Sequence, residues 1–261
     1  MEKSRRGIQS IEIGSGLLLE LAKQVRPVAL KDLAKAAGMT AGKAHPYMVS
    51  FLKVGFVTQT DAGRYELGPL ALQLGLARLQ RLDPVKEASQ LIEELARETG
   101  QSVALAVWGN LGPTIVRLEE PVQPLHVNLR TGTVMSLGHT ATGRLFAAYM
   151  PRQVVEPLLS DDLARFGTTG QVVPLTQAAL DLALAEIRKH GLSRTRGHPI
   201  PGIDAICAPV FDSAGHIVLG ILVMGPSATF DSNWDGVVAR PLLRCALEVS
   251  KRTGRAASAG A

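Results

Sequence analysis

Two groups of side chains in this sequence have the types and spacing to do chemistry. The first is His139-Thr-Ala-Thr-Gly143, where an imidazole, two hydroxyls and a glycine stand immediately ahead of the apolar helical run RLFAAYM. The first backbone N–H groups of a helix have no partner within it, and its N-terminus favours negative charge. His139, Thr140, Ala141, Thr142 and Gly143 together can therefore hold a carboxylate, with Thr140 and Thr142 adding hydroxyl donors. The same residues also fit a plainer role, in which one threonine only caps the helix.

The second group is a set of cations and hydrogen-bonding side chains spread over the first third of the chain: Arg5, Arg6, Thr40, Lys43, His45, Tyr47, Lys53 and Arg64. Residues 1–80 carry 11 Lys+Arg against 6 Asp+Glu, an excess of +5. Residues 81–261 carry 17 of each, so the net charge of +5 lies wholly in the first third. A basic segment attached to a neutral body predicts that the first part meets a polyanion and the second does something else.

Other chemistries lack their residues. The two cysteines, Cys207 and Cys245, stand far apart in no metal-binding or redox spacing, and read as buried thiols of a reducing compartment. The six histidines are scattered. No phosphate-binding loop, dinucleotide fingerprint or zinc-protease motif occurs, so the expectation is no catalytic residue, no metal and no cofactor. The basic N-terminus leads into no signal core, and no run of about 18 apolar residues occurs, which predicts a cytoplasmic protein without a membrane partner.

The elements that must position these groups follow from periodicity. Ser10 is placed to cap a first helix with Ile11, Leu18, Leu21, Ala22 and Val25 on one stripe. A short helix with Leu33, Ala34 and Ala37 inward stops at Gly38, and Thr40 is the N-cap of a third helix. Helix, glycine turn, helix is a helix-turn-helix. The segments GFVTQ and RYELG flank TDAG as a hairpin, a wing whose tip carries Arg64. The third helix holds Pro46. Either the helix starts at Thr40 and bends, or residues 41–45 form a loose turn and Pro46 opens a shorter helix.

PLALQLGLARLQRL continues as a helix, with Asp83 and Pro84 opening the next segment. An amphipathic helix then closes at Gly100. SVALAVW, TIVRLEE and PLHVNL read as strands, LTQAALDLALAEIRKHG as a long helix with Leu180, Ala183, Leu184 and Ile187 inward, and ICAPVFD and HIVLGILVMG as a strand pair about SAG. The whole is α+β.

The run LAKAAGMTAGKAHPYMVSFLKVGFVTQTDAGRYELGP resembles the DNA-binding domain of the IclR family of bacterial transcription regulators, with Gly38, Gly55, Phe56, Val57, Tyr65, Leu67 and Gly68 in matching positions. SLGHTATGRLFAAYMP and APVFDSAGHIVLGILVMGP extend the resemblance, which covers roughly residues 8 to 254. It implies a winged helix-turn-helix over 1–68, a linker helix over 69–83, a GAF-like α/β effector-binding domain over 84–254, and a disordered tail over 255–261.

The resemblance further implies a regulator that binds double-stranded operator DNA as a homodimer or homotetramer and responds to a small organic acid. Its effector pocket would join Leu137 and residues 139–143 to a wall of Asp204, Ile206, Cys207, Leu222 and Met224. Two features depart from the family. Pro46 stands where a polar residue usually faces DNA, and SRTRGHPIPG, with Arg194, Arg196 and His198, stands where acidic residues are usual. Two other readings share this organisation: a small-molecule sensor with a weak DNA-binding head, and an enzyme fused to a winged helix.

Overall fold

The computed structural model describes residues 7–120, 129–166 and 176–255. The expectations for Arg5, Arg6, most of PLHVNL and the tail from residue 256 lie outside them. The described residues form two compact units that divide between Leu82 and Asp83.

The first unit contains α1 (Gln9–Ala22), α2 (Leu30–Ala36), α3 (Ala41–Val54), the hairpin β1 (Val57–Gln59) and β2 (Tyr65–Leu67), and α4 (Pro69–Gln80). Leu17, Leu21, Leu33, Ala34, Ala44, Met48, Val57 and Tyr65 make its core. The expected stripe of α1 is rotated: Gly14, Leu17 and Leu21 are buried, while Ile11 is 62% exposed and Val25, beyond the helix, fully so. The cause is Gly14, which lies so close to the Phe51 and Tyr47 rings that a Cβ there would stand 2.9 Å from Phe51. That approach sets the rotation. Ser10 lies inside the helix and caps nothing, the N-cap being Ile8.

Thr40 caps α3, its hydroxyl accepting from the Lys43 N–H at 3.3 Å, and Gly55 closes the helix at φ +83. The helix runs from Ala41 through Pro46 to Val54, so it begins at the Thr40 cap and not at the proline. Pro46 has no N–H to give the Gly42 carbonyl. What keeps the helix intact is packing on either side of that gap, with Ala44 and Met48 fully buried. The wing pairs Val57 with Leu67 and Gln59 with Tyr65, and its turn is held by Gly63 at φ +70 and by the Gln59 amide donating to the Gly63 carbonyl.

In the second unit Asp83 caps α5 (Pro84–Thr99) through bonds from the Val85 and Lys86 N–H groups. A five-stranded sheet follows, in the order β4-β3-β7-β6-β5, with every pairing antiparallel: β3 (Ser102–Gly109), β4 (Gly112–Glu119), β5 (Ser193–Arg196), β6 (Ile203–Phe211) and β7 (Ile217–Pro226). Helices α6 (Ala141–Tyr149), α7 (Arg152–Ser160), α8 (Asp162–Phe166) and α9 (Gln177–His190) lie between β4 and β5 in sequence, and α10 (Ala239–Arg252) ends the unit.

Alternation along the central strands makes two cores. Ile206, Ala208, Ile221 and Val223 face α5 and α10, whereas Cys207, Leu222 and Met224 face α6 and α9. This three-layer α+β arrangement bears out the expected class. Leu180 and Ile187 of α9 are buried as expected. Four elements carry no sequence expectation: α7, α8, α10, and β5, whose residues SRTR stand out only for lying where the family has acidic ones.

An interior proline costs roughly 3 kcal/mol relative to alanine in a helix. Pro46→Ala is therefore expected to stabilise the first unit by about 1–3 kcal/mol, read as a higher urea midpoint by far-ultraviolet circular dichroism.

Candidate functional site

The turn leading into α6 is built around one buried carboxylate. Asp162, at the start of α8, accepts from the Ser136 hydroxyl at 2.6 Å, the Leu137 N–H at 2.9 Å and the Gly138 N–H at 3.0 Å. The Ser136 oxygen also accepts from the His139 N–H. Thr140 then caps α6: its hydroxyl accepts from the Gly143 N–H at 2.9 Å and donates to the Ser136 carbonyl at 2.7 Å. Gly143 packs so tightly on Ser136 and Leu137 that a Cβ would overlap their backbone.

This wiring decides which groups remain free. The Gly138 carbonyl, the usual partner for a hydroxyl four residues on, already accepts from Arg144 Nε at 2.7 Å. Thr142 is fully buried, and its hydroxyl has no partner of hydrogen-bond geometry, only the weakly bonding Cys207 thiol beside it. Among the described residues the Ala141 and Thr142 amides also have no acceptor. One helix start thus presents two amides and a hydroxyl.

The residues at this helix start line a cavity of about 50 Å³. Thr140, Ala141 and Thr142 form one wall, Leu222, Met224 and Ala205 on the sheet a second, and the segment from His198 to Ile203 a third, with Thr195, Leu129 and Met135 closing it. Of the expected pocket residues, Thr140, Ala141, Thr142, Leu222 and Met224 come together.

The others stand elsewhere. Leu137 packs with Val155 and Ala147. His139 turns to Ser136 and Asp162, and Gly143 is spent on close packing. Ile206 lies on the opposite face of the sheet because its strand alternates, and Asp204 accepts from the Gly197 N–H and the Ser227 hydroxyl. Cys207 faces α6 but lies in the core beneath the cavity. Arg194 and Arg196 donate to Ser232 instead of adding charge to the pocket, so of these two arginines and His198 only the histidine reaches it. The glycines bracketing HPIP and its apolar Ile200 were the available signal for this third wall.

The Ser136–His139–Asp162 cluster has the residue types of a hydrolase triad without its geometry. The serine proton goes to the carboxylate, leaving the imidazole no proton to take from it, and Ser136 is only 4% exposed. Among the described residues no group of three His, Cys, Asp or Glu could hold a metal, and no helix is long and apolar enough to cross a membrane.

In the first unit, Gly42, Lys43, His45, Pro46, Ser50 and Lys53 form the exposed side of α3, and Thr40 is exposed at its start. Tyr47 is half-buried against α1, which removes it from the exposed set. Arg64 stands exposed at the wing, 3.5 Å from the Pro27 carbonyl.

Residues 10–61 match the IclR helix-turn-helix domain, and residues 76–251 match the bacterial transcriptional regulator IclR C-terminal domain. A glycerol operon regulatory protein of Streptomyces coelicolor is 32% identical over 208 residues, covering 79% of this chain and 80% of that protein. Its namesake in Streptomyces griseus is 30% identical over 254 residues, covering 95% and 98%. The crystal structure of Pseudomonas aeruginosa HmgR is similar with a TM-score of 0.86 at 34% identity, over 95% of this chain and 99% of that one.

Burial pushes the thiols of Cys207 and Cys245 up to about 12, so at pH 8 on the order of one in ten thousand is thiolate. Iodoacetamide at pH 8 is expected to leave both unmodified in the native protein and to label both in urea, as counted by intact mass.

Proposed function

Because the chain belongs to the IclR family of bacterial transcription regulators, and so is a ligand-responsive DNA-binding regulator, we propose that its effector is a small organic acid with an apolar body, its carboxylate seated at the start of α6. The observation that carries this is the start of α6, where the Ala141 and Thr142 amides have no acceptor among the described residues and residues 140–142 line a cavity together with the apolar Leu222, Met224, Ile200 and Ile203. Open amides at a helix N-terminus suit an anion, and the apolar walls suit the remainder of the molecule.

About 50 Å³ is room for roughly four waters, too little for more than the head of such an acid. The wall from His198 to Pro201 is the part that can give way, because it lies between two glycines at positive φ, Gly197 and Gly202. An acid that wedges this wall outward acts on the edge strand β5. Coupling of that kind between an effector and a DNA site is typically worth about 1–3 kcal/mol. The second unit is read as a GAF-like effector domain, supported by its antiparallel sheet with helices on both faces.

The regulator works as a homodimer, or a homotetramer built from two, on a palindromic operator of double-stranded DNA. Support comes from α1 and α4, which leave Ile8, Ile11, Leu19, Leu72, Leu74 and Leu76 between 47% and 65% exposed. Apolar helix surface of this extent is covered at low cost by a second copy. Two copies set two α3 helices on half-sites about one helical turn apart, with Lys43, Lys53 and Arg64 on phosphates.

A thermal-shift panel of small carboxylic acids, with the matching primary amides and alcohols, tests the effector reading on the full chain. Acids are expected to raise Tm more than their neutral counterparts. Thr142→Val is expected to weaken the best acid roughly tenfold while leaving the ligand-free Tm unchanged or raised, since it removes an unpartnered hydroxyl. Amides that stabilise as well as acids, or a Thr142→Val variant with unchanged affinity, contradict the assignment.

A further inference from the structure

The exposed side of α3 is unusual in what it lacks. Its sequence, AGKAHPYMVSFLKV, contains no Arg, Asn, Gln, Asp or Glu. Together with lysine, which α3 carries at Lys43 and Lys53, those are the side chains that read guanine, adenine and cytosine edges by bidentate or charged hydrogen bonds. Lys43, in the first turn, is a point charge suited to a phosphate or a single acceptor. Ser50 has spent its proton, since its hydroxyl donates to the Pro46 carbonyl at 3.0 Å.

What the face does offer is one exposed apolar ring, flanked by residues with little side chain of their own. Gly42, Pro46 and Ser50 stand at i, i+4 and i+8 on one line, all exposed. A helical side chain covers the surface over the turn preceding it, and for Pro46 that turn is Gly42, which has no side chain and no neighbour within 4 Å of where its Cβ would be. The pyrrolidine ring therefore stands clear of other side chains on its N-terminal side, rigid and without a donor. In the major groove the one apolar group on any base edge is the thymine C5-methyl.

We infer that Pro46 is a specificity-determining residue that reads an A·T pair in each half-site by apolar contact between its ring and the thymine methyl. The inference rests on α3 being the DNA-reading helix of this regulator. It gives the proline a positive role: a ring that weakens the helix is tolerated because it selects a methyl group over the polar edges presented by G·C pairs. The neighbouring His45 and Lys43 then supply hydrogen bonds and backbone attraction on either side of the contact.

The test begins with sites selected by the full-length protein from a randomised duplex library. Each thymidine of the selected half-site is then replaced singly by deoxyuridine, which removes only the methyl, and binding is followed by fluorescence anisotropy over a range of salt. Loss of one methyl from an apolar contact is expected to weaken binding about fourfold at one thymidine position per half-site. Pro46→Ser, a better helix former than proline, is expected to bind the thymidine and deoxyuridine forms of that position equally, with the same salt slope.

Wild-type protein that binds every deoxyuridine operator as tightly as the parent, with steep salt dependence intact, overturns the proline reading and leaves DNA binding standing. So does a Pro46→Ser variant that still distinguishes the two bases. Absence of any salt-dependent binding to any selected duplex overturns both.

Discussion

The second unit of the molecule depends on one buried carboxylate. Asp162 draws in the Ser136 hydroxyl and the Leu137 and Gly138 amides, and so fixes the turn that delivers the chain into α6. An internal anion thereby satisfies the donors that lie before the helix, while the donors of the first helical turn stay open. Thr140 caps, Arg144 takes the Gly138 carbonyl, and Thr142 is left buried without a proper partner. A buried unpaired hydroxyl costs about 1–3 kcal/mol. A ligand that pairs it recovers that cost, which biases the protein toward the bound state.

The DNA-binding half shows a similar exchange of stability for selectivity. Pro46 interrupts the hydrogen-bond ladder of α3, and the helix persists because Ala44 and Met48 are fixed in the core on the side away from solvent. The whole net charge of the chain lies in its first third, so attraction to phosphate is delivered without making the second unit basic. Each unit thus departs locally from full hydrogen bonding: Pro46 has no N–H to give the Gly42 carbonyl in one, and the Thr142 hydroxyl is buried without a hydrogen-bond partner in the other.

Much of this was legible in the residues. The turn glycines, the Thr40 cap and the wing have strong local signatures, and the small residues ahead of RLFAAYM marked the α6 start correctly. What escaped depended on partners distant in sequence. Asp162 lies 26 residues from Ser136, and nothing local announces that its carboxylate would claim the amides of the turn. The strand SRTR has two arginines that looked like pocket charge, because only the fold shows them turned to Ser232. Ile206 was misassigned by one strand position, which is enough to move a side chain to the opposite face of a sheet. The rotation of α1 followed from Gly14, a contact no periodicity encodes.

In the proposed complex the α6 start offers its own two amides, and not the preceding turn, to an acidic effector. Backbone amide NMR on the full chain tests it directly, by titration with the carboxylic acid that gives the largest thermal shift. Downfield proton shifts of the Ala141 and Thr142 amides are expected on saturation, with Leu137, Gly138 and Gly143 holding their positions because Asp162 and Thr140 already occupy them. Saturation that leaves Ala141 and Thr142 unmoved, or that shifts Leu137 and Gly138 in their place, would contradict it.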